Sequence, residues 1–582
     1  MEARIKVSDY IAQFLEERGV EFVFEMSGGM IVHMLDALHR RGTVKVVSVH
    51  HEQTAAFAAD AVGRMTGIPG VAMATSGPGA TNLLTGIGSC YFDGAPAVFI
   101  TGQVNRHEQK GTSGVRQLGF QETDIVSMAR PITKAAWLVN EPEEIPAMLH
   151  RAFDLAVEGR PGPVLLDIPM DVQRTEIAMP GHDTPETVAD AKDACPEPDP
   201  AAIRAWFETL QRAERPMILA GGGVRSGWAT DALREFVDTL GIPVVHSLMA
   251  VDVIPVGDPL RVGMLGSYGN RWANLAVGRS DCLLVLGSRL DIRQTGADTR
   301  SWKGDRTILH LDVDPAEMNH RVANCSAIRG ELRPFLDEAL RMAREVEWRD
   351  RSEWIGEIAA LRAEWPDTEE LNDVPGINPN RFMHQLSEAA RAAAAFLIDV
   401  GQHQMWAAQS IDTHHDQRFL TSGGMGSMGF ALPAAVGAAF AARGRPVVVV
   451  AGDGGFQSNI QELQTVVRNR LPVKMVIINN GCHGMVRQFQ ESYMDGRYQS
   501  TLWGYDAPDF AAVGTAYGIA SLTVADDADV PAALAELWRD PAAPGLLQVM
   551  VDTHANAYPK IAFGRPMTEM EPQAKPIEME ST

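Results

Sequence analysis

The feature that most constrains this chain is a repeated alternation. Short, unbroken apolar runs end in glycine or a polar residue, and each is separated from the next by a helical stretch. "VKVVSV", "GVAMATS", "PAVFITG" and "GPVLLDIP" are four such runs in the first third. Apolar side chains at successive positions, rather than at every second one, belong to strands buried on both faces, and helical connections are what parallel strands require. The pattern returns in "RPMILAGGGVRSG", "IPVVHSLMA", "DCLLVLGSR" and "RTILHLDVDP". It returns again in "AFLIDV", "PVVVVAGDG", "VKMVIINN" and "GLLQVMVD". The expected fold class is therefore α/β, with three doubly wound domains built on central parallel sheets.

The length agrees, because 582 residues exceed what one hydrophobic core supports. The first domain is expected over 1–172. It opens with a helix that Ser8 can cap, that turns Tyr10, Ile11, Phe14 and Leu15 to one face, and that Gly19 can end before the short strand "VEFVF". Residues 173–200, including "TPETVADAKDACPEPDP", have the Pro, Asp and Ala content of a linker. The central domain is expected over 201–345, a helical linker over 346–377, the third domain over 378–556, and a mobile tail or lid over 557–582.

Composition excludes several classes. A formal charge of -23 and a pI near 5.1 would repel nucleic acid and anionic membranes, so an anionic substrate needs a local basic site. The five cysteines, Cys90, Cys195, Cys282, Cys325 and Cys482, form no CxxC pair, which suits reduced thiols in a cytoplasm. The first residues, "MEARIKVSDYIAQFLEERGV", carry acids and no signal-peptide core, and a cytoplasmic location is expected.

Chemistry is written most plainly in "VVVVAGDGGF". A strand of four valines ends in Gly452-Asp453-Gly454, followed by Gly455. Glycines in loops at the carboxyl ends of parallel strands let backbone N–H groups approach a phosphate. Between Gly454 and Asn479 lie 24 residues, one helix and one strand, which bring the chain back to the same sheet edge. Asp453 and Asn480 then offer two hard oxygen ligands beside a phosphate, the pattern Mg²⁺ prefers. A second oddity is "SVHHEQTAAFAADAVGRMTG", where Glu52 opens a small-residue helix after an apolar run. The helix dipole favours an acid there, so this position alone does not establish a role.

The GDG-to-NN spacing resembles the thiamine diphosphate fingerprint. With "DVGQHQMWAAQ" (399–409), "TSGGMGSMGFALPAAVGA" (421–438), "ATSGPGATNLLTG" (74–86), "TGQV" (101–104) and "FQE" (120–122), the chain resembles acetohydroxyacid (acetolactate) synthase catalytic subunits over nearly its whole length. The resemblance implies pyrimidine-binding, central flavin-type and diphosphate-binding domains in that order, with thiamine diphosphate, Mg²⁺ and a structural FAD as cofactors. "HHEQ" is similar to the motif whose glutamate hydrogen-bonds the cofactor's aminopyrimidine, which gives Glu52 that role. Val400, Gly401, Gln402, His403, Gly424, Met425, Gly426 and Met485, with Gly28 and Gly77 from the first domain, fall at cofactor-lining positions. Met428 is the expected wedge beneath the cofactor, and the Cys482 carbonyl is expected to complete the metal shell. In the family the glutamate and the diphosphate site come from different chains, so the resemblance implies at least a homodimer, with a homotetramer expected. A regulatory small subunit is a candidate partner.

Gly221, Gly222 and Gly223 of "LAGGGV", Arg289 of "GSRLDIRQTG" and Asp312 of "HLDVDPAEM" look like the flavin-binding version of the central domain. "RLDIR" and "MLGSYG" depart from the usual pattern there. Arg293 matches the arginine facing a substrate carboxylate, while Gln121, Phe120 and Lys134 fall at pocket positions. The acceptor side differs more. Phe489 stands where these synthases usually have tryptophan, Met26, Ser27 and Met30 replace a common Tyr-Pro-Gly-Gly-Ala run, and Asn105 replaces a proline. His483 adds a proton donor near the metal loop, or is a plain loop histidine. Two enzyme readings follow. In one, pyruvate loses CO₂ and its hydroxyethyl carbanion adds to a second 2-keto acid, giving acetolactate-type products. In the other, the same donor chemistry serves another ketone or aldehyde, such as a keto-sugar nucleotide. A non-catalytic scaffold is disfavoured, because Glu52, Asp453, Asn480 and Met428 are all present.

Overall fold

The computed structural model describes residues 3–179 and 195–577. Its first sheet is made of β1 (Phe22–Met26), β2 (Lys45–Ser48), β3 (Gly70–Ala74), β4 (Ala97–Gln103), β5 (Ala135–Leu138) and β6 (Pro163–Pro169). The second contains β7 (Pro216–Ala220), β8 (Val244–His246), β9 (Arg261–Met264), β10 (Cys282–Leu286), β11 (Thr307–Asp312) and β12 (Ser326–Arg329). The third contains β13 (Ala395–Ile398), β14 (Arg418–Thr421), β15 (Val447–Gly452), β16 (Val473–Asn479), β17 (Ala520–Val524) and β18 (Gly545–Met550). Every pairing within these sheets is parallel.

The orders differ in an informative way. The outer sheets run β2-β1-β3-β4-β6-β5 and β14-β13-β15-β16-β18-β17, the same order in each. The central sheet runs β9-β8-β7-β10-β11-β12. Counted within the domain this is the 3-2-1-4-5-6 order of dinucleotide-binding folds, whose crevice opens where the order reverses, beside β7 and β10.

Four helices matter for the site: α1 (Val7–Glu17), α2 (Glu52–Thr66), α3 (Ala431–Ala441) and α4 (Gly484–Tyr493). Helix α2 lies against α3, joining the first and third domains through one shared core that includes Ala55, Ala58, Phe57, Phe430, Ala434 and Ala438. Alanine and glycine allow this close approach. A Cβ on Gly437 would clash with the Ala58 carbonyl. The central domain keeps its own cores on the two faces of its sheet.

Several expectations are corrected. Ser8 does not cap α1: Lys6 holds the N-cap position without a side-chain bond, and Ser8 is fully buried. Gly19 does end that helix, in a left-handed turn at φ 75°. Residues 173–179 of the expected linker are structured as the end of the helix Met170–Arg174 and a strand, Glu176–Ala178, paired antiparallel with Arg4–Lys6. Residues 180–194 of that linker lie outside the described residues. The tail is not loose over 557–577. Lys560–Ile561 pairs with Met570–Glu571, and Arg271 of the central domain donates to the Glu571 carbonyl at 3.1 Å. No helix among the described residues is long and apolar enough to cross a membrane.

Candidate active site

The carboxyl ends of β13, β15 and β16 converge on a cavity of about 450 Å³. Its walls include Val400, Gly401, Gln402, His403, Gly426, Met428, Gly452, Asp453, Gly454, Gly455, Asn480, Cys482 and Met485, residues from four separate motifs of the sequence. Glycine is required by the crowding. A Cβ on Gly452 would stand 2.9 Å from the His403 ring, and one on Gly454 would stand 2.6 Å from His483. The backbone can therefore approach a ligand that side chains would exclude.

Asp453 is 3% exposed, and burial pushes its carboxyl up to about 6. The Tyr505 hydroxyl is near enough to soften that rise but makes no well-formed hydrogen bond, and Oδ2 of Asp453 has no hydrogen-bond partner. An unpartnered buried carboxylate oxygen is costly unless a cation takes it up. Asn480 turns its amide nitrogen to Gln402 Oε1 at 3.1 Å, which fixes the amide's orientation, while the Cys482 N–H donates to Asn480 Oδ1 at 3.3 Å. One carboxylate, one amide oxygen and the nearby backbone carbonyl of Cys482 form a hard-oxygen donor set that fits Mg²⁺ beside phosphate oxygens. His403 is held neutral, pushed down to about 3 by burial, with Nε2 unpartnered.

Asp399, which the sequence analysis did not single out, organises the opposite wall. Its buried carboxylate accepts the backbone N–H groups of Val400, Gly429 and Ala431, each at 2.9 Å. This pins the turn carrying Met428, whose side chain is 41% exposed and borders the cavity. A buried acid at the end of an apolar strand was the available signal. Gly424 and Met425 do not line the cavity. The Gly424 N–H donates to Asp93 at 2.6 Å, and Met425 sulfur packs against Gly88.

The first-domain candidates gather elsewhere, at the carboxyl edge of their own sheet. Glu52 opens α2, is 7% exposed, and accepts from Asn82 Nδ2 at 2.9 Å. A Cβ on Gly79 would be 3.2 Å from Glu52 Oε1 and 2.9 Å from Thr75. Thr75 in turn crowds Gly28 and accepts from the Met30 N–H at 3.2 Å. Gly77, at φ 69°, lies against Gln121, itself left-handed at φ 66°. Phe120 beside it is 79% exposed. None of these residues lines the cavity formed by the third domain of the same chain. Lys134 is separated from the group. It precedes β5, at the opposite end of the sheet, where its amine donates to the carbonyls of Glu158 and Arg160 and burial pushes it down to about 8.

In the central domain, Gly222, Gly223, Arg289 and Asp312 border a cleft of about 290 Å³ at the reversal of strand order. A neighbouring cavity of about 270 Å³ shares Gly222, Ser226, Trp228 and Met249 with it. Gly221 lies so close to Gly287 that a Cβ would clash with its carbonyl. Burial pushes Asp312 up to about 6. An elongated, glycine-walled cleft with an acid at the end of the neighbouring strand fits a dinucleotide cofactor such as FAD. Arg293, on the one-turn helix Ile292–Thr295, is exposed and lines none of these three cavities. Phe489 lies on α4, 43% exposed, at the mouth of a further cavity.

Comparison with known proteins gives a consistent result. Residues 5–128 match the family "Thiamine pyrophosphate enzyme, N-terminal TPP binding domain", residues 203–339 its central domain, and residues 399–549 its C-terminal TPP binding domain. The chain is 37% identical to the acetolactate synthase isozyme 2 large subunit of Escherichia coli, over 97% of this chain and 98% of that protein. It is 37% identical to the acetolactate synthase large subunit of Corynebacterium glutamicum, over 96% of this chain and 89% of that one. It is 36% identical to a probable acetolactate synthase large subunit of Methanocaldococcus jannaschii, over 99% and 96%.

Proposed function

We infer that this chain, which belongs to the acetolactate synthase large-subunit family of thiamine pyrophosphate enzymes, is a carboligase that decarboxylates pyruvate and joins the remaining two-carbon unit to a second 2-keto acid. The observation that carries the reading is the unpartnered Oδ2 of buried Asp453, facing the same glycine-walled cavity as Asn480 and Met428. Thiamine diphosphate, when bound, would supply a nucleophilic carbon and a sink for the electron pair left by CO₂. The chain's residues do the rest. Asp453, Asn480 and the Cys482 carbonyl would hold Mg²⁺ beside the diphosphate. Gly452, Gly454 and Gly455 admit the phosphates to the backbone. Met428, on the turn that Asp399 pins, fills the cavity from one side and excludes water. Glu52, buried and held by Asn82, would share a proton with the aminopyrimidine ring.

Glu52 lies outside the cavity of its own chain, which supports a site completed by a second copy: a homodimer with Glu52 of one chain facing Asp453 of the other. A tetramer would be a pair of such dimers. The relatives are described as large subunits, which supports a smaller regulatory partner. FAD in the central cleft serves a structural role, since neither decarboxylation nor carbon–carbon bond formation here is a net redox step. Unpaired cysteines support a cytoplasmic setting.

The test is purified protein with thiamine diphosphate, Mg²⁺, FAD and pyruvate, following CO₂ and the carbon product. Acetolactate formation that stops on chelation of Mg²⁺ and returns on its addition is the expected outcome. Absence of CO₂ release under full cofactor loading would overturn the reading.

A further inference from the structure

Beyond the cofactor cavity lies a larger one, of about 540 Å³, enclosed by the central domain, α4 and the C-terminal hairpin. Helix α4 joins the two. Met485 and Val486, in its first turn, border the cofactor cavity, while Phe489 and Tyr493, at the following helical spacings, border the larger one. Residues three to four apart share a helix face, and at 1.5 Å per residue Phe489 lies about 6 Å along the axis from Met485. The larger cavity thus begins about one helical turn from the smaller one. The short helix Ile292–Thr295 is its partition from the dinucleotide cleft: Asp291 and Gln294 border the cleft, Ile292 and Thr295 the cavity.

The lining has two chemistries. Most is apolar and aromatic, from Tyr268, Ile292, Trp302, Phe489, Tyr493 and Phe563. Two cations of the hairpin, Lys560 and Arg565, also border it, as does one acid, Asp298, whose carboxylate is turned to the backbone N–H groups of Arg300 and Ser301. The Lys560 amine is 5.2 Å from the centre of the Tyr493 ring and 3.0 Å from Glu571, so the hairpin is latched beside the aromatic wall. Lys560 and Arg293 act electrostatically on the Tyr268 hydroxyl, opposed by Glu571, the partner of Lys560. Trp302 is 4% exposed, yet its indole N–H has no hydrogen-bond partner, and a buried donor of that kind is uncommon without one. An aromatic cavity with Lys560 and Arg565 at its edge suits a ligand with a large apolar body and an anionic end.

We propose that this cavity is the acceptor pocket and that it selects 2-keto acids bearing a bulky apolar or aromatic side chain over those with a methyl or ethyl group. The assignment rests on the carboligase reading above. The acceptor's carbonyl reaches the two-carbon unit across Phe489, its side chain lies among the aromatic residues, and its carboxylate is held on the cationic side. The reaction balances without a further reactant: pyruvate loses CO₂, the electron pair left on its former carbonyl carbon forms the new bond to the acceptor's keto carbon, and the acceptor oxygen takes up a proton.

The experiment uses the holoenzyme with thiamine diphosphate, Mg²⁺ and FAD. Pyruvate is the donor, and 2-ketobutyrate and phenylpyruvate compete as acceptors at equal concentration in one vessel. CO₂ release from pyruvate alone is recorded first, and the two cross-products are then quantified by mass spectrometry. The ratio of phenyl to ethyl product is expected to be one or more. In Ile292→Trp, which narrows the cavity away from the cofactor, it is expected to fall at least tenfold. A ratio within one vessel does not depend on how much variant folds. CO₂ release with a wild-type ratio below one, or a fall of less than tenfold in the variant, overturns the acceptor assignment alone. Absence of CO₂ release overturns the carboligase reading and the assignment with it.

Discussion

At the scale of single residues, the site depends on carboxylates placed where water cannot satisfy them. The Glu52 carboxylate accepts from Asn82, and its replacement by glutamine keeps size and packing while removing the proton it would share with the aminopyrimidine. Glu52→Gln is expected to bind thiamine diphosphate with near-normal affinity, read by quenching of intrinsic fluorescence, while CO₂ release falls about 10²- to 10⁴-fold. Turnover within tenfold of wild type would remove Glu52 from the mechanism. Asp453→Ala should fail differently, by weakening Mg²⁺ binding at least tenfold in a calorimetric titration, because it deletes the one buried carboxylate with an oxygen open to the metal. Which of these residues the sequence discloses follows from locality. Gly452, Asp453, Gly454 and Asn480 are legible because each sits next to the strand end that positions it. Asp399 was not, because its three acceptor contacts reach as far as Gly429 and Ala431, about 30 residues on. Tyr505 enters the site from a loop with no motif of its own.

At the scale of elements, burial decided what could be read in advance. The thirteen apolar runs picked out in the sequence correspond to strands with a neighbour on each side in most cases, and such strands are buried on both faces. The strands it did not identify within the three sheets, β5, β9, β12, β14 and β17, are all at sheet edges. Edge strands have one exposed flank and mix polar with apolar residues, as in "SAIR" and "ASLTV", whose exposed positions break the run. The C-terminal hairpin was missed for a related reason. It is held by Arg271, about 300 residues earlier, reaching its backbone, a contact that no local pattern encodes, and by its own Lys560–Glu571 pair. Helix α2 packs closely against α3, where Gly437 faces the Ala58 carbonyl with no room for a methyl group. Gly437→Ala improves helix propensity but forces the two helices apart. It is expected to destabilise the protein by about 1–3 kcal/mol in denaturant unfolding. A neutral or stabilising effect would mean that the two domains slide past each other at little cost.

At the scale of the whole molecule, the three domains are joined by buried charges as well as by apolar cores. Arg418 of the third domain pairs with Asp252 of the central one at 3.1 Å and also donates to the Arg64 carbonyl of the first at 2.7 Å. A second junction centres on His384. Its Nδ1 is 2.8 Å from Asp412 and its Nε2 3.0 Å from Asp367, which precedes the third domain, while Arg261 of β9 pairs with Asp412 at 3.3 Å. Ser410 also donates to Asp367, at 2.5 Å. Burial alone would lower the His384 pKa, but hydrogen bonds to the two carboxylates prevail and push it up to about 9. In the unfolded chain it would titrate near about 6.5. Between those values the folded protein binds the extra proton and the unfolded chain does not, so folding stability from this group is complete below about 6.5 and is lost as pH rises towards 9. The difference corresponds to on the order of 3 kcal/mol. Unfolding by urea at pH 6 and at pH 9.5 should show this loss in the wild type. His384→Gln, which has no proton to lose, should start less stable at pH 6 and show a much smaller loss between the two conditions. An equal loss in both proteins would mean that alkaline weakening arises elsewhere, and that the ring between Asp367 and Asp412 does not carry the charge that joins the central and third domains.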